Sequence, residues 1–256
     1  MNQLHSKSVV VGIDGSQAAV NAAKWAVDEA ISRQLPLRLV HVAGGNRSQS
    51  PSAQPSDWEL EAGETALYQA EVAVQGAGIP VEVEAVLLSG DPAQVLINES
   101  ADAALVCVGT DQRRWAADKV LGATEAALAT HAHCPVAIIR TNPDGTAAHP
   151  GVIAVVLNDE PDNDEVVHQA MEEGRRRHAT VRQIDRRLNS WVRRYPDVPV
   201  QVVAAGTGLR NSESRSSAIE LAVVGGADAD QIAELATPNS HPILGYPSCS
   251  VLIVRD

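Results

Sequence analysis

Short apolar runs alternate with longer amphipathic segments along residues 1–140. Apolar runs of roughly four to eight residues between turn residues are typical of buried strands, and apolar positions at helical spacing are typical of helices. The strand-like runs are SVVVGID, LRLVHV, VEVEAVLL, ALVCVG and PVAIIR. Alanines recurring through GSQAAVNAAKWAVDEAISRQ predict a helix between the first two.

Capping residues mark where several of these helices begin. The segment after LRLVHV crosses a loop over 43–56 and then opens with Asp57, a predicted N-cap. Asp91 and Pro92 stand at the cap and first-turn positions of the next helix. Because helical crossovers connect parallel neighbours, the sequence predicts a doubly wound α/β domain with five parallel strands.

Residues 152–256 repeat this order in abbreviated form. VIAVVLND corresponds to VVVGIDGS, AIELAVVGG to DAALVCVGT, and YPSCSVLIVR to HAHCPVAIIR. Gly109 and Cys134 are 25 positions apart, and Gly225 and Cys249 are 24 apart. The repeat predicts two tandem five-stranded parallel-sheet domains, 1–140 and 152–256, the second abbreviated. A Pro- and Gly-containing linker over 141–151 joins them.

Composition and charge narrow the class of protein. Hydrophobic residues are 45% of the 256, but aromatic residues only 3%, and there is no Phe, so the core must consist of Val, Ala, Leu and Ile. The net charge of -12 argues against nucleic acid as a partner. No apolar run approaches the roughly 20 residues that span a bilayer. The first residues, MNQLHSK, lack the apolar core of a secretory signal peptide. We therefore expect a cytoplasmic protein with no membrane partner.

Candidate metal and catalytic chemistry is sparse in this sequence. Cys107, Cys134 and Cys249 are far apart and predict buried free thiols. HAHC at 131–134 lacks a fourth ligand, so a structural role is favoured and no metal is expected. The chain has no G-x-S-x-G elbow and no Walker loop, and we expect no catalytic residue.

The segment VCVGTDQRRWAADKVLGAT, 106–124, runs from a strand through a polar loop into a helix. Backbone N–H groups and a helix N-terminus at the carboxyl end of a parallel strand are suited to an anionic nucleotide. This segment is therefore the candidate phosphate-binding region, and its glycines decide how closely a ligand can approach.

The order of four motifs resembles the universal stress protein family. They are VVVGIDGS before an Ala-rich helix, GDPAQVL, VCVGT and ATHAHCPVAIIR. The tandem arrangement is similar to two-domain members common in actinobacteria. The resemblance implies a Rossmann-like five-stranded sheet, dimerisation through the last strand and, in one subclass, ATP between strands one and four. In that subclass an Asp ending strand one lies on the adenine side, and G-x-x-G-x9-G-[ST] holds the ribose and phosphates.

Carried over by position, the resemblance implies a nucleotide site in the N-terminal domain. Its positions are Gly12, Asp14, Gly109, Gln112, Gly122, Ala123 and Thr124. Gln112 stands where the second glycine belongs, and a side chain there hinders approach if the backbone needs positive φ. Ala123 lacks the expected hydroxyl, although Thr124 follows. Asp14 is equally suited to capping the next helix.

Cations beside this loop leave two interpretations open. Arg113, Arg114 and Lys119 either contact a polyphosphate or form a solvated face, and the solvated face is favoured. The second repeat departs further from the motif, because Asn158 replaces the aspartate and no G-[ST] follows at the required distance. We expect no nucleotide in that repeat, and ATP, if it binds, in the N-terminal domain only.

Two hypotheses for function follow. The first is a tandem universal stress protein acting as a non-catalytic stress-response and interaction scaffold, with weak or lost nucleotide binding. The alternative is an ATP-binding sensor or slow ATPase that uses the N-terminal domain only. The resemblance also implies that the strand-five edges PVAIIR and SVLIVR pair within the chain. It leaves open a homodimer and further protein partners.

Overall fold

The structure of the protein, a computed structural model, describes residues 7–44, 54–76, 78–111, 121–142, 144–146, 151–155, 163–183, 191–202, 219–226 and 249–255. The elements of the first half are β1 (Ser8–Gly12), α1 (Gln17–Arg33), β2 (Leu37–Ala43), α2 (Asp57–Gln75), β3 (Val83–Ser89), α3 (Pro92–Glu99), β4 (Ala103–Asp111), α4 (Ala123–His131) and β5 (Val136–Thr141). Those of the second half are β6 (Val152–Val155), α5 (Asn163–Arg177), β7 (Thr180–Gln183), α6 (Trp191–Arg194), β8 (Val200–Val202), β9 (Ile219–Gly225) and β10 (Ser250–Val254).

The ten described strands form one sheet in the order β3-β2-β1-β4-β5-β10-β9-β6-β7-β8. Every neighbouring pair is parallel except β5 and β10, which are antiparallel with Val251 opposite Ile138. The predicted α/β class with parallel strands is confirmed. The antiparallel pair joins the two five-stranded halves edge to edge.

Small side chains let α1 lie close to the sheet. Ala22, Ala23, Ala26 and Ala30 are completely buried, and they share one face of the helix. Burial of an alanine face allows the helix backbone to approach the strands beneath it more closely than leucines would allow. The central strands are buried on both sides, as their near-continuous Val, Leu and Ile runs predict.

The cap of α2 differs from the prediction. Asp57 is the first residue inside the helix, and Ser56 is the N-cap. Both the N–H and the hydroxyl of Ser56 donate to Glu59 Oε2, at 2.8 and 2.6 Å. This is the carboxylate half of a capping box, which stabilises Ser56 at the cap. The predicted Asp91 cap is confirmed, because its Oδ1 accepts from Gln94 N–H at 3.1 Å.

The three cysteines are free and buried, as predicted. Burial raises the pKa of Cys134 to about 11 and that of Cys249 to about 12. Burial also raises the pKa of Cys107. These thiols therefore stay protonated and act as small apolar core residues.

A buried cluster of charged side chains connects α1 to α5. It consists of Glu29, Arg33, Glu173, Arg176 and Arg177. Glu29 Oε1 lies 2.7 Å from Nη1 of Arg176 and 2.7 Å from Nη2 of Arg177. Within each helix, Glu29 pairs with Arg33, and Glu173 pairs with Arg177, both four residues apart. Neither glutamate side chain is exposed to solvent.

Burial and the neighbouring charges shift the pKa values of the two glutamates in opposite directions. Burial acts to raise the pKa of Glu29, but Arg176, Arg33 and Arg177 together hold that pKa below its usual value. For Glu173, burial and then the nearby Glu29 charge raise the pKa. Glu29 is therefore the charged carboxylate about which the three arginines are arranged.

We expect Glu29→Gln to lower the free energy of unfolding by about 3 kcal/mol, because it leaves three partly buried arginines without the fully buried carboxylate that they share. Urea denaturation at neutral pH measures this loss. Glu64→Gln, on the exposed surface of α2, is the matched control and should change stability by no more than about 0.5 kcal/mol. Equal stability of the two variants would contradict the structural role of the cluster.

Candidate functional site

A cavity of about 200 Å³ lies at the carboxyl ends of β1 and β4. These strands are neighbours, and the strand order runs outward from them in opposite directions, to β2 and to β5. Such a switch point leaves a crevice at the carboxyl edge of a doubly wound sheet, which is where ligands bind in this architecture. The polar side chains that line the cavity belong to Asp14, His41, Thr124 and Glu125.

The structure brings together four of the seven predicted site positions. Those that line the cavity are Gly12, Asp14, Gly109 and Thr124. Gly122 is the N-cap of α4 and Ala123 is the first residue of that helix, and neither is among the residues lining the cavity. Gln112 lies outside the described residues, as do Arg113, Arg114 and Lys119.

Asp14 is exposed and shapes the turn between β1 and α1. Its Oδ1 accepts the N–H of Ser16 at 2.9 Å. Ser16, not Asp14, is the N-cap of α1, and its Oγ accepts the N–H of Ala19 at 3.1 Å. Gly15 between them has φ of +82°, which glycine adopts without the strain of a side chain. The Asp14 carboxylate is thereby held against the cavity.

Gly109 is required by the packing of a helix. A Cβ at this position would lie 2.1 Å from the carbonyl oxygen of Ala18 and 2.6 Å from the backbone nitrogen of Ala19. The first turn of α1 therefore rests directly on β4. Gly122 differs, because a Cβ there would meet Oε2 of Glu125 at 2.3 Å, the end of a flexible side chain.

His41 is a lining residue that sequence reasoning missed. Its Nδ1 lies 2.8 Å from the carbonyl oxygen of Ile13, and because a carbonyl can only accept, Nδ1 carries the proton. The ring packs against Gly63 of α2, where a Cβ would come within 2.5 Å of its Cδ2. The sequence did offer one indication of this role, because His41 lies near the end of the strand predicted to follow β1, and parallel neighbours end at the same edge of the sheet.

Glu125 is the second lining residue that was missed. It lies in the first turn of α4 and is only 7% exposed. A carboxylate in this position interacts favourably with the helix dipole. Of the described lining residues, none is Lys or Arg, whereas Asp14 and Glu125 are acidic. The described wall of the cavity therefore carries negative charge.

The opposite end of α4 is held by the second half of the chain. Nη1 of Arg255, which follows β10, donates to the carbonyl oxygen of Ala132 at 3.0 Å. Its guanidinium also donates to the carbonyl of Ala129. A cation at the C-terminus of a helix satisfies carbonyls and complements the dipole. The helix that begins at the cavity is thus anchored by the other half.

The profile of the Universal stress protein family matches residues 5–140, which include every described residue that lines this cavity. The chain belongs to the universal stress protein family. The family predicted from the motifs is therefore confirmed. The match contains every described element from β1 to α4 and most of β5.

Full-length relatives extend the similarity beyond the matched half. Universal stress protein Rv2624c of Mycobacterium tuberculosis is 39% identical over 265 residues, covering 97% of this chain and 96% of that protein. Universal stress protein Rv3134c of the same species is 36% identical over 278 residues, covering 98% and 96%. A solved universal stress protein from Archaeoglobus fulgidus has a similar fold, with TM-score 0.67, 14% identity and coverage of 98% and 96%.

Several expectations concern sites away from the cavity. In the part of the chain that the structure describes, no group of three or more His, Cys, Asp or Glu is arranged to hold a metal ion. None of the described helices has both the length and the apolar character required to cross a bilayer. Asn158 and residues 227–248 lie outside the described residues, so the absence of nucleotide from the second repeat stays a prediction.

We expect Gly109→Ala to lower the free energy of unfolding by about 3 kcal/mol or more, at the upper end of overpacking effects, because its Cβ meets backbone atoms. Gly122→Ala is the matched control and should cost about 1 kcal/mol or less, because the Glu125 side chain can move away. Denaturation without ligand measures both. Equal losses would show that α1 does not rest on β4 at Gly109.

Proposed function

We propose that this universal stress protein is a tandem, non-catalytic scaffold for protein interaction in the stress response, with one weak adenine-nucleotide site in its N-terminal half. The observation that supports the site is the cavity at the β1–β4 switch point, lined by Gly12, Asp14, Gly109 and Thr124. Gly12 and Asp14 are far in sequence from Gly109 and Thr124, yet all four meet at one edge of the sheet.

The tandem division places domains at 1–140 and 152–256, with a linker over 141–151. It is supported by strand order, because the first half runs β3-β2-β1-β4-β5 and the second runs β8-β7-β6-β9-β10 from the opposite edge. The β5–β10 pair and the Glu29 cluster join these halves. Two halves held in this way present a fixed composite surface to protein partners, which suits a scaffold.

Weak binding of a nucleotide is supported by the size and charge of the cavity. Its volume of about 200 Å³ is below the roughly 300–1,000 Å³ typical of small-molecule pockets. Among the described lining residues, Asp14 and Glu125 are acidic and none is a Lys or Arg that could balance the charge of a phosphate. The apolar wall, which includes Ile13 and Leu96, is suited to a base.

A non-catalytic role is supported by the hydrogen bonds of the polar side chains that line the cavity. Asp14 Oδ1 accepts a turn N–H, and His41 Nδ1 donates to the carbonyl of Ile13, so both groups hold backbone in place. Among the described lining residues, no cation is present to stabilise a transferring phosphoryl group. The alternative, an ATP sensor or slow ATPase in the N-terminal domain, is favoured by the convergence of the same four site positions.

Calorimetric titration of nucleotide-stripped protein with ATP and Mg²⁺ tests this proposal. We expect one site per chain with a Kd of about 0.1 mM or weaker, equivalent to a binding free energy of roughly -5.5 kcal/mol. Asp14→Ala should weaken this binding, because the resemblance places the Asp14 carboxylate on the adenine side of the nucleotide. Asp57→Ala, at the exposed start of α2, should leave the Kd unchanged.

Two results of this titration would contradict the proposed function. No heat above dilution at millimolar ATP would remove the nucleotide site and leave the scaffold role alone. Micromolar binding with release of ADP by wild type, lost in Asp14→Ala, would establish the sensor or slow ATPase instead. Light scattering of the same samples measures whether two chains associate into a homodimer.

A further inference from the structure

The outer side of α2 exposes two of the seven aromatic residues in the chain. Trp58 is 69% exposed, Tyr68 is 68% exposed, and Val72 is 49% exposed. At helical spacing all three lie on one side of the helix, with Trp58 about 15 Å along the axis from Tyr68. The opposite side packs on β2 and β3 through buried residues such as Ala66 and Ala70. Exposed Trp and Tyr side chains are typical of surfaces that contact another protein.

The same side of α2 carries negative charge. Glu61 follows Trp58 by three positions and Glu64 precedes Tyr68 by four, so each exposed carboxylate is a neighbour of an aromatic side chain on the helix surface. The helix contains five Asp or Glu and no Lys or Arg. Among the described residues, no ion pair includes a carboxylate of α2. We call Trp58, Glu61, Glu64, Tyr68 and Val72 the α2 face.

The excess of negative charge extends through the sequence on both sides of α2. Residues 39–112 contain eleven Asp or Glu and one basic residue, Arg47, in a chain whose net charge is -12. Arg47 lies outside the described residues, and it can balance only one of these charges. Interacting protein surfaces carry complementary potentials, so a partner of the α2 face is expected to be positively charged.

The charge of the α2 face disfavours several other occupants. In a two-fold dimer each copy of the face would lie against itself, which would bring like charges together. Nucleic acid and anionic membranes are repelled for the same reason. A row of apolar side chains flanked by carboxylates fits a segment that presents apolar and cationic side chains along one side, such as a basic amphipathic helix.

We propose that the α2 face docks a basic amphipathic segment of a partner protein. Apolar side chains of that segment pack on Trp58, Tyr68 and Val72, and its Lys or Arg side chains lie beside Glu61 and Glu64. This inference rests on the proposed scaffold role, because it names one interaction surface and the class of partner that it takes. No residue of the α2 face is among the described residues that line the cavity, so docking can be measured without nucleotide.

Three labelled synthetic peptides of equal length test the inference when each is titrated with the full chain and followed by fluorescence anisotropy. The first is an amphipathic helix of Leu and Lys, the second has Glu in place of Lys, and the third keeps Lys but has Gln in place of Leu. We expect the Leu–Lys peptide to bind at least about tenfold more tightly than the other two, because it alone matches the face in both apolar surface and charge. Added salt should weaken this binding.

Variants of the full chain locate the binding on α2. Glu61→Lys should weaken the Leu–Lys peptide about tenfold, because it places a like charge beside the docked segment. Asp164→Lys is the matched control, since it changes the net charge equally at an exposed position in the first turn of α5 and should change the affinity less than about twofold. Trp58→Ser combined with Tyr68→Ser should weaken binding at least about tenfold. Circular dichroism checks that each variant folds.

The outcomes separate this inference from the function on which it rests. No binding of the Leu–Lys peptide, equal binding of the Leu–Glu peptide, or equal losses in Glu61→Lys and Asp164→Lys overturns the docking role of the α2 face. A wild-type dimer in light scattering that Trp58→Ser with Tyr68→Ser dissociates would show a second copy on the face and also overturn it. The proposed function fails on a different measurement, the release of ADP in the nucleotide titration.

Discussion

The direct contact between the first turn of α1 and β4 determines the geometry of the rest of the N-terminal half. At Gly109 the helix backbone rests on the strand with no room for a side chain. The completely buried alanines of α1 extend the same close packing along the sheet. This approach sets the turn from Gly12 to Ser16 and leaves the cavity between β1, β4 and α4.

That contact gives Gly109 a structural role that differs from the ligand-binding role its motif suggests. A motif interpretation assigns Gly109 to a ligand, because glycine lets a backbone approach phosphate closely. In this fold the close approach is made by another part of the protein, the backbone of Ala18 and Ala19. The packing of α1 on β4 therefore requires a glycine at position 109, whether or not a nucleotide binds. Among the described residues, Gly122 has no comparable backbone neighbour, and its crowding comes from Glu125.

Besides the β5–β10 pair, arginine side chains of the second half contact helices of the first half at two separate places. Arg176 and Arg177 reach Glu29 of α1, and the guanidinium of Arg177 also lies 4.1 Å from the centre of the Trp25 ring. Arg255 holds the C-terminal end of α4. Arg255 of the second half thus positions α4, the helix whose first turn lines the cavity. A change in the second half can therefore alter the site without touching a ligand.

The sequence by itself determined the α/β class, the succession of strands and helices along the chain, the family and the Asp91 cap, because local periodicity and short motifs specify these features. It also held the S-x-x-E pattern that makes Ser56 the cap of α2, where Asp57 was predicted. Only the tertiary structure decided that His41 and Glu125 join the site and that Glu29 meets two arginines about 150 positions away. Such contacts depend on which strands become neighbours and how closely helices pack on them, and those distances are set by the assembled sheet.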